Sequence, residues 1–158
     1  MTVDTDLMRH MRLFEGLDGD ALARIGQALL PRSVPAADMI FLEEEPAGNL
    51  YLVAHGVVRL FKTSAEGKEQ TLEMVRPGGL LNEIGFFDQQ PNPFSAAATG
   101  EVIIYGLSHS DYTRLAVEFP RLPENMVTLL VERMRRLVAL VEDLSFRTVS
   151  ARIAKILL

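Results

Sequence analysis

The residues of this chain that could do chemistry are few and scattered. Its three histidines, His10, His55 and His109, share no metal-ligand spacing, and it contains no cysteine. That absence removes disulfides, thiolate zinc sites, cysteine nucleophiles and cysteine-ligated iron–sulfur clusters together. No Ser/His/Asp arrangement for nucleophilic attack is evident, and no glycine-rich loop of the G-x-x-x-x-G-K-[ST] type is present. The run Glu43–Glu44–Glu45 reads most simply as a solvated turn. His55 precedes Gly56 and reads as a turn residue, while His109 reads as the start of a helix. An enzyme is not expected from this inventory.

The elements that would position any site change texture twice along the chain. "LMRHMRLFEGL" places Leu7, Met11 and Phe14 on one helical face, and Asp18 can cap a second helix with Leu22, Ile25 and Leu29 facing inward. Pro31 and Pro35 mark a transition. From Met39 to about Leu107 short β-rich runs follow: Leu50 to Val53, Val57 to Lys62, Thr71 to Val75 and Glu101 to Leu107. Turn signals at Gly48, Gly56, Gly67 and Gly78–Gly79 separate them, and "AEGKE" around Gly67 predicts a hairpin. Such spacing suggests a barrel or a sandwich. Helix then returns, with Ser108 and Asp111 forming a capping arrangement.

The strongest periodic signal comes last. Val127, Leu130, Met134, Leu137, Val141 and Leu144 are spaced three, four, three, four, three, a heptad seam flanked by Glu132, Arg133, Arg135, Arg136, Glu142 and Asp143. Leu129, Val131, Val138 and Leu140 make the helix apolar on a second side. One face can cover the barrel while the other meets a partner helix, so a parallel homodimer is expected.

Composition sets outer limits. At 158 residues the chain suits one domain with an appendage, and 48% hydrophobic with 23% charged residues is ordinary for a folded protein. No apolar run is long enough to span a bilayer and no leader pattern opens the chain, so no membrane partner and a cytoplasmic location are expected. The net charge of -5 is the wrong sign for gripping phosphates, which puts any DNA contact outside these residues.

Helices, a glycine-punctuated barrel and a long heptad helix together resemble the sensor module of the CRP/FNR regulators. The stretch Phe41 to Phe87 carries the resemblance, with Glu45–Pro46, "LYLV…G.V.L", the Gly67 hairpin and the Pro77–Gly78 turn. "VSARIAKILL" resembles the family's hinge and the first helix of its helix-turn-helix domain. The implied fold is mainly β with flanking α: a double-stranded β-helix (jelly-roll) barrel of the cyclic-nucleotide-binding type, with N-terminal helices and a long C-terminal dimerisation helix. The implied divisions are a sensor over 1–120, a dimerisation helix over 121–147, and over 148–158 a hinge with the start of a truncated DNA-binding domain.

The family's ligand cassette, a Gly-Glu, a loop and an Arg-Ser/Thr-Ala, is matched by "NEIGFFDQQPNPFSAAAT". Asn82 stands at the glycine, Glu83 at the glutamate, Ser95 and Ala96 at the Ser-Ala. Phe94 stands where the arginine fork would hold a cyclic phosphate. The positions that present hydroxyls to an adenine are Leu137 and Val138. cAMP is accordingly not expected to bind. "PNPFSAAAT" is similar to the branch holding nitric-oxide-responsive denitrification regulators, some of which use haem. A cavity bordered by Phe86, Phe94, Leu137 and Val138 would suit an apolar ligand or haem; equally, those side chains could fill the former nucleotide pocket with no ligand. Glu83 is either a ligand acceptor or an acceptor of backbone N–H bonds at its own turn. His10 is the one weak candidate for an axial iron ligand; Met74 and Met134 read as core filler. The leading expectation is a homodimeric transcription regulator that senses a small-molecule or haem-type effector and reaches DNA through a missing C-terminal domain. A regulatory cyclic-nucleotide domain of another effector protein and a ligand-free dimerisation module are the alternatives.

Overall fold

The computed structural model describes all 158 residues. Strands fall where β-branched and aromatic residues alternate between turn signals. They are β1 (Leu30–Val34), β2 (Met39–Phe41), β3 (Leu50–His55), β4 (Val58–Thr63), β5 (Glu69–Val75), β6 (Leu80–Leu81), β7 (Ser95–Ala98) and β8 (Val102–Leu107). They form two four-stranded antiparallel sheets, ordered β1-β8-β3-β6 and β2-β7-β4-β5. This is the expected jelly-roll. The helices are α1 (Thr5–Arg9), α2 (Gly19–Ala28), α3 (Glu83–Asp88), α4 (His109–Glu118) and α5 (Arg121–Leu157). No helix is long and apolar enough to cross a membrane.

Two cores share the barrel's walls. Val34, Ile40, Phe41, Val53, Val58, Leu60, Ala96, Val102 and Ile104 fill the space between the sheets. Leu50, Leu52, Tyr105 and Leu107 face the other way, against Met8, Phe14, Leu22, Ile25, Leu115 and Leu122 of the helical layer. Neighbours such as Leu52 and Val53 therefore serve opposite cores, as the two-residue period of a strand requires. Gly56 closes the β3–β4 turn at φ +82°, and a Cβ there would collide with the Glu101 carbonyl oxygen. The glycine is thus needed on both conformational and steric grounds.

Four strands go beyond the sequence expectation. β1 contains Pro31, which reads as a breaker, yet β1 is an edge strand, where a missing N–H is tolerated. β7 is the small-residue run Ser95–Ala98, whose propensity is weak, but it lies between β2 and β4 and is wholly buried. The N-terminal helix is also shorter than expected: α1 ends at Arg9, and a 3-10 turn occupies Arg12–Phe14. A continuous helix would bury Leu7, Met11 and Phe14 on one stripe. The break instead buries Met8, Met11, Leu13 and Phe14 together, and Asn125 of α5 donates to the freed carbonyls of Leu13 (2.9 Å) and Glu15 (2.8 Å). The two predicted caps are present. Asp18 accepts from the Ala21 N–H at 2.9 Å, and Ser108 from the Asp111 N–H at 3.2 Å.

The helix α5 runs unbroken from Arg121 to Leu157. Only Leu122 and Met126 are buried along it. Within the heptad seam Leu130 packs against this chain's own helical core. Val127, Met134, Leu137, Val141 and Leu144 each stay more than half exposed.

Candidate functional site

The main cleft, about 500 Å³, lies where α5 passes the barrel. The β5–β6 turn supplies one wall, with Glu73, Met74, Arg76 and Leu80; Glu83 opens α3 beside it. Helix α5 supplies the opposite wall, with Leu129, Leu130, Glu132, Arg133 and Arg136, and the N-terminal segment adds His10 and Arg12. Cavities of this size accommodate small organic ligands.

The local fold explains why Glu83 points into this space. Asn82 before it adopts φ 70°, ψ 21°, a left-handed conformation that glycine takes freely and asparagine tolerates best among the others. Its side-chain amide donates to the Asn49 carbonyl at 3.1 Å, which holds the turn. Asn82 thus stands in for the glycine conformationally, but it does not line the cleft.

Glu83 is almost fully buried, and its carboxylate does not accept the backbone N–H bonds of its own turn. No backbone N–H is bonded to its carboxylate; the guanidinium of Arg133 is, through Nη1. Nη2 of the same arginine donates to Glu73 on β5. One arginine thus ties α5 to two carboxylates of the barrel. Leaving Glu83 charged without that cation would carry a large desolvation penalty, so the pair must act as a unit. Next to it on the helix, Glu132 takes a bidentate fork from Arg12 of the N-terminal segment, with Nη2 at 2.6 Å from Oε1. That fork holds the Glu132 carboxyl below the usual range and raises Arg12, with the charge of Arg136 also acting on Glu132.

The expected aromatic cavity is not assembled. Phe86 is buried in the helical core, edge-on to Phe87 and Tyr112. Phe94 packs on Phe41 at the core between the sheets, with ring centroids 6.4 Å apart. Leu137 and Val138 are exposed on α5, outside the cleft. The physical reason is the cassette loop, which is pinned to the 42–45 turn. Asn92 exchanges backbone bonds with Glu44 and Glu45 and donates its amide to Leu42 at 3.0 Å. Ser95 Oγ accepts from the Glu43 N–H at 2.9 Å, and Ala96 is buried in β7. Of the residues singled out for a ligand, only Glu83 and His10 line the cleft.

The cleft does not fit haem. Four arginines and three glutamates line it; the two propionates of haem would pair with arginines, but its apolar ring face would desolvate the remaining charged groups. His10 is the only imidazole there, with Nδ1 2.9 Å from the Asp6 carbonyl. Of two other cations that would take over the task of the missing arginine fork, Arg136 lines the cleft. Arg59 lies elsewhere, bonded to Glu69 at 2.7 Å and stacked over Phe61. Glu73, Arg76 and Arg133 went unrecognised as site residues, since 50 to 60 residues separate Arg133 from its partners and no local pattern links them.

Comparison with known proteins agrees with the fold. The profile of the cyclic nucleotide-binding domain matches residues 31–118. The chain is 34% identical over 155 residues to the "Cyclic AMP receptor protein" of Thermus thermophilus, covering 96% of this chain and 70% of that one. It is 28% identical over 153 residues to the "CRP-like cAMP-activated global transcriptional regulator" of Mycobacterium tuberculosis, covering 97% and 68%. The crystal structure of the Thermus thermophilus catabolite activator protein superposes with a TM-score of 0.78 at 32% identity, over 85% of this chain and 63% of that one. The chain therefore belongs to the cyclic nucleotide-binding domain family, in the group of CRP-like transcription regulators.

Proposed function

We propose that this chain is the effector-sensing and dimerising part of a transcription regulator, with the cleft between barrel and α5 as its sensing site. The observation that carries the reading is that one helix serves both surfaces. Arg133 reaches into the cleft, while Met134 and Leu137 on the same turns present an uncovered apolar seam. A second copy of the chain is the occupant that a heptad seam of this regularity fits. An effector that changes how Arg133 sits on the barrel then changes how the two seams meet, and so favours one placement of the DNA-reading parts. Light scattering tests this directly: a dimer at micromolar concentration is expected, and a monomer would overturn it.

The division of α5 at about residue 147 has physical support. After Leu144 the apolar stripe changes sides: the seam's next positions are Thr148, Ala151 and Lys155, while Phe146, Val149, Ile153 and Ile156 form a separate exposed stripe. That stripe calls for a different cover, consistent with 148–158 leading into a DNA-reading domain outside these residues. With net charge -5, the 158-residue chain alone is proposed not to bind DNA selectively.

The relatives named above are cAMP proteins by name, but the cassette loop here carries Phe94 where a cation would be needed, and Leu137 and Val138 offer no hydroxyl. The effector is accordingly proposed not to be cAMP. One observation favours the ligand-free module as a second reading: Glu83 is already satisfied by Arg133 without any ligand.

A further inference from the structure

We propose that the cleft binds a phosphate monoester that also carries free hydroxyls, with Arg76 and Arg136 as its anion-binding pair. The inference rests on reading this cleft as the sensing site. All three carboxylates of the cleft are engaged: Glu132 by both nitrogens of the Arg12 fork, Glu73 and Glu83 by Arg133. Four arginines face them, and Arg76 and Arg136 are the two that pair with no carboxylate. The cleft is thus locally cationic on a chain whose net charge is -5, and that contrast selects anions. Arg76 comes from the β5–β6 turn and Arg136 from α5. An anion held by both bridges the elements that the Arg133 contacts also bridge.

The second half of the assignment comes from Glu83 and Glu73. As carboxylates they only accept hydrogen bonds, so a ligand meeting them must bring hydroxyl or amine donors, and the neighbouring arginines disfavour amines. Ligand hydroxyls would donate to Oε2 of Glu83 and Oε1 of Glu73, the oxygens that Arg133 does not take, so the Glu83–Arg133 pair stays intact. No base-recognising group is required, because Leu137 and Val138 lie outside the cleft. A dianionic monoester suits two arginine forks better than a monoanionic cyclic diester.

Calorimetry on the whole chain at low salt, with ribose 5-phosphate, inorganic phosphate, ribose and cAMP as probes, tests the proposal. Ribose 5-phosphate should bind with at least tenfold higher affinity than inorganic phosphate, ribose should give no heat, and salt should weaken binding. Arg76→Gln and Arg136→Gln should each weaken binding about tenfold, while Arg59→Gln, outside the cleft, should leave it unchanged. Both cleft arginines are exposed, so melting curves should confirm intact folding. Absence of binding by either phosphate probe at millimolar concentration overturns the proposal, as does binding indifferent to both substitutions. Inorganic phosphate binding as well as the ester would overturn the hydroxyl half. Tight cAMP binding that survives Arg76→Gln and Arg136→Gln but is lost in Glu83→Gln would overturn the anion pair while upholding the cleft as the sensing site.

Discussion

Two stretches of α5 differ sharply in how their side chains are used. Over residues 129–136 the groups facing the barrel, Arg136 apart, are matched across elements: Arg133 to Glu73 and Glu83, Glu132 to Arg12, Leu129 and Leu130 to the helical core. From Leu137 onward the apolar side chains have no cover in this chain; Leu137, Val141, Leu144 and Phe146 are all more than half exposed. A helix rises about 1.5 Å per residue, so Arg133 and Leu137 sit one turn apart along the same side. The lesson is mechanical. A stiff helix whose first part is fixed by a few charge contacts and whose second part is an unpaired seam converts a change at the contacts into a change at the seam.

The comparison is broken most completely by spoiling the seam. Leu137→Glu would place two like charges near the axis of the proposed dimer. An uncompensated buried charge costs about 3 kcal/mol or more, which corresponds to roughly a hundredfold loss in dimer affinity. Sedimentation should show a folded monomer at concentrations where the unsubstituted chain is a dimer. An unchanged dimer would mean that the seam is not the interface.

The contacts of the first stretch are tested by Arg133→Ala. Glu83 would be left nearly buried without its cation, and the chain should lose about 3 kcal/mol in chemical denaturation. Glu83→Leu added to Arg133→Ala should recover most of that loss, because the penalty belongs to the orphaned carboxylate. Two additive losses would show that Arg133 stabilises by packing and not by pairing. A smaller effect is expected at the base of the helix. Asn125→Ala removes both donors to the Leu13 and Glu15 carbonyls, at about 1 kcal/mol for each buried bond and less where water can replace it. Hydrogen exchange should quicken in the Arg12–Phe14 turn and leave the distal seam of α5 unchanged.

Most of the barrel was legible because its signals are local: alternating apolar residues, Gly67 at a hairpin, Asp18 and Ser108 as caps. The strands that escaped are those whose reason is tertiary. Ser95–Ala98 is a strand because small side chains fit between β2 and β4, which no propensity reveals. The site was legible only at Glu83 and the incidental His10. Family resemblance directed attention to Phe86, Phe94, Leu137 and Val138, but whether such residues meet depends on the path of the cassette loop and the sweep of α5. The arginines of the cleft were visible as charges flanking a heptad pattern. That they turn toward the barrel follows only once Leu129 and Leu130 are seen to pack against its helical core.

The weakest and most discriminating test concerns the Arg12–Glu132 fork, which joins the N-terminal segment to the same turn of α5. Arg12 holds the Glu132 carboxyl below its ordinary value in the folded chain. In the unfolded chain that carboxyl returns to the usual glutamate range of about 4.3. A group whose pKa is lowered by folding adds stability that is complete above its unfolded value. The contribution fades as pH falls through the folded value. Stability should therefore decline slightly more steeply on acidification below about pH 4.3 in the unsubstituted chain than in Arg12→Gln. Both partners are exposed, so the difference is small and should shrink further at high salt, where surface pairs are screened. The buried Glu83–Arg133 pair should resist salt, so denaturation of Arg12→Gln and Arg133→Ala at two ionic strengths separates the contacts. Equal salt sensitivity in the two variants would mean that the first stretch of α5 is held by diffuse surface charge rather than by two distinct anchors.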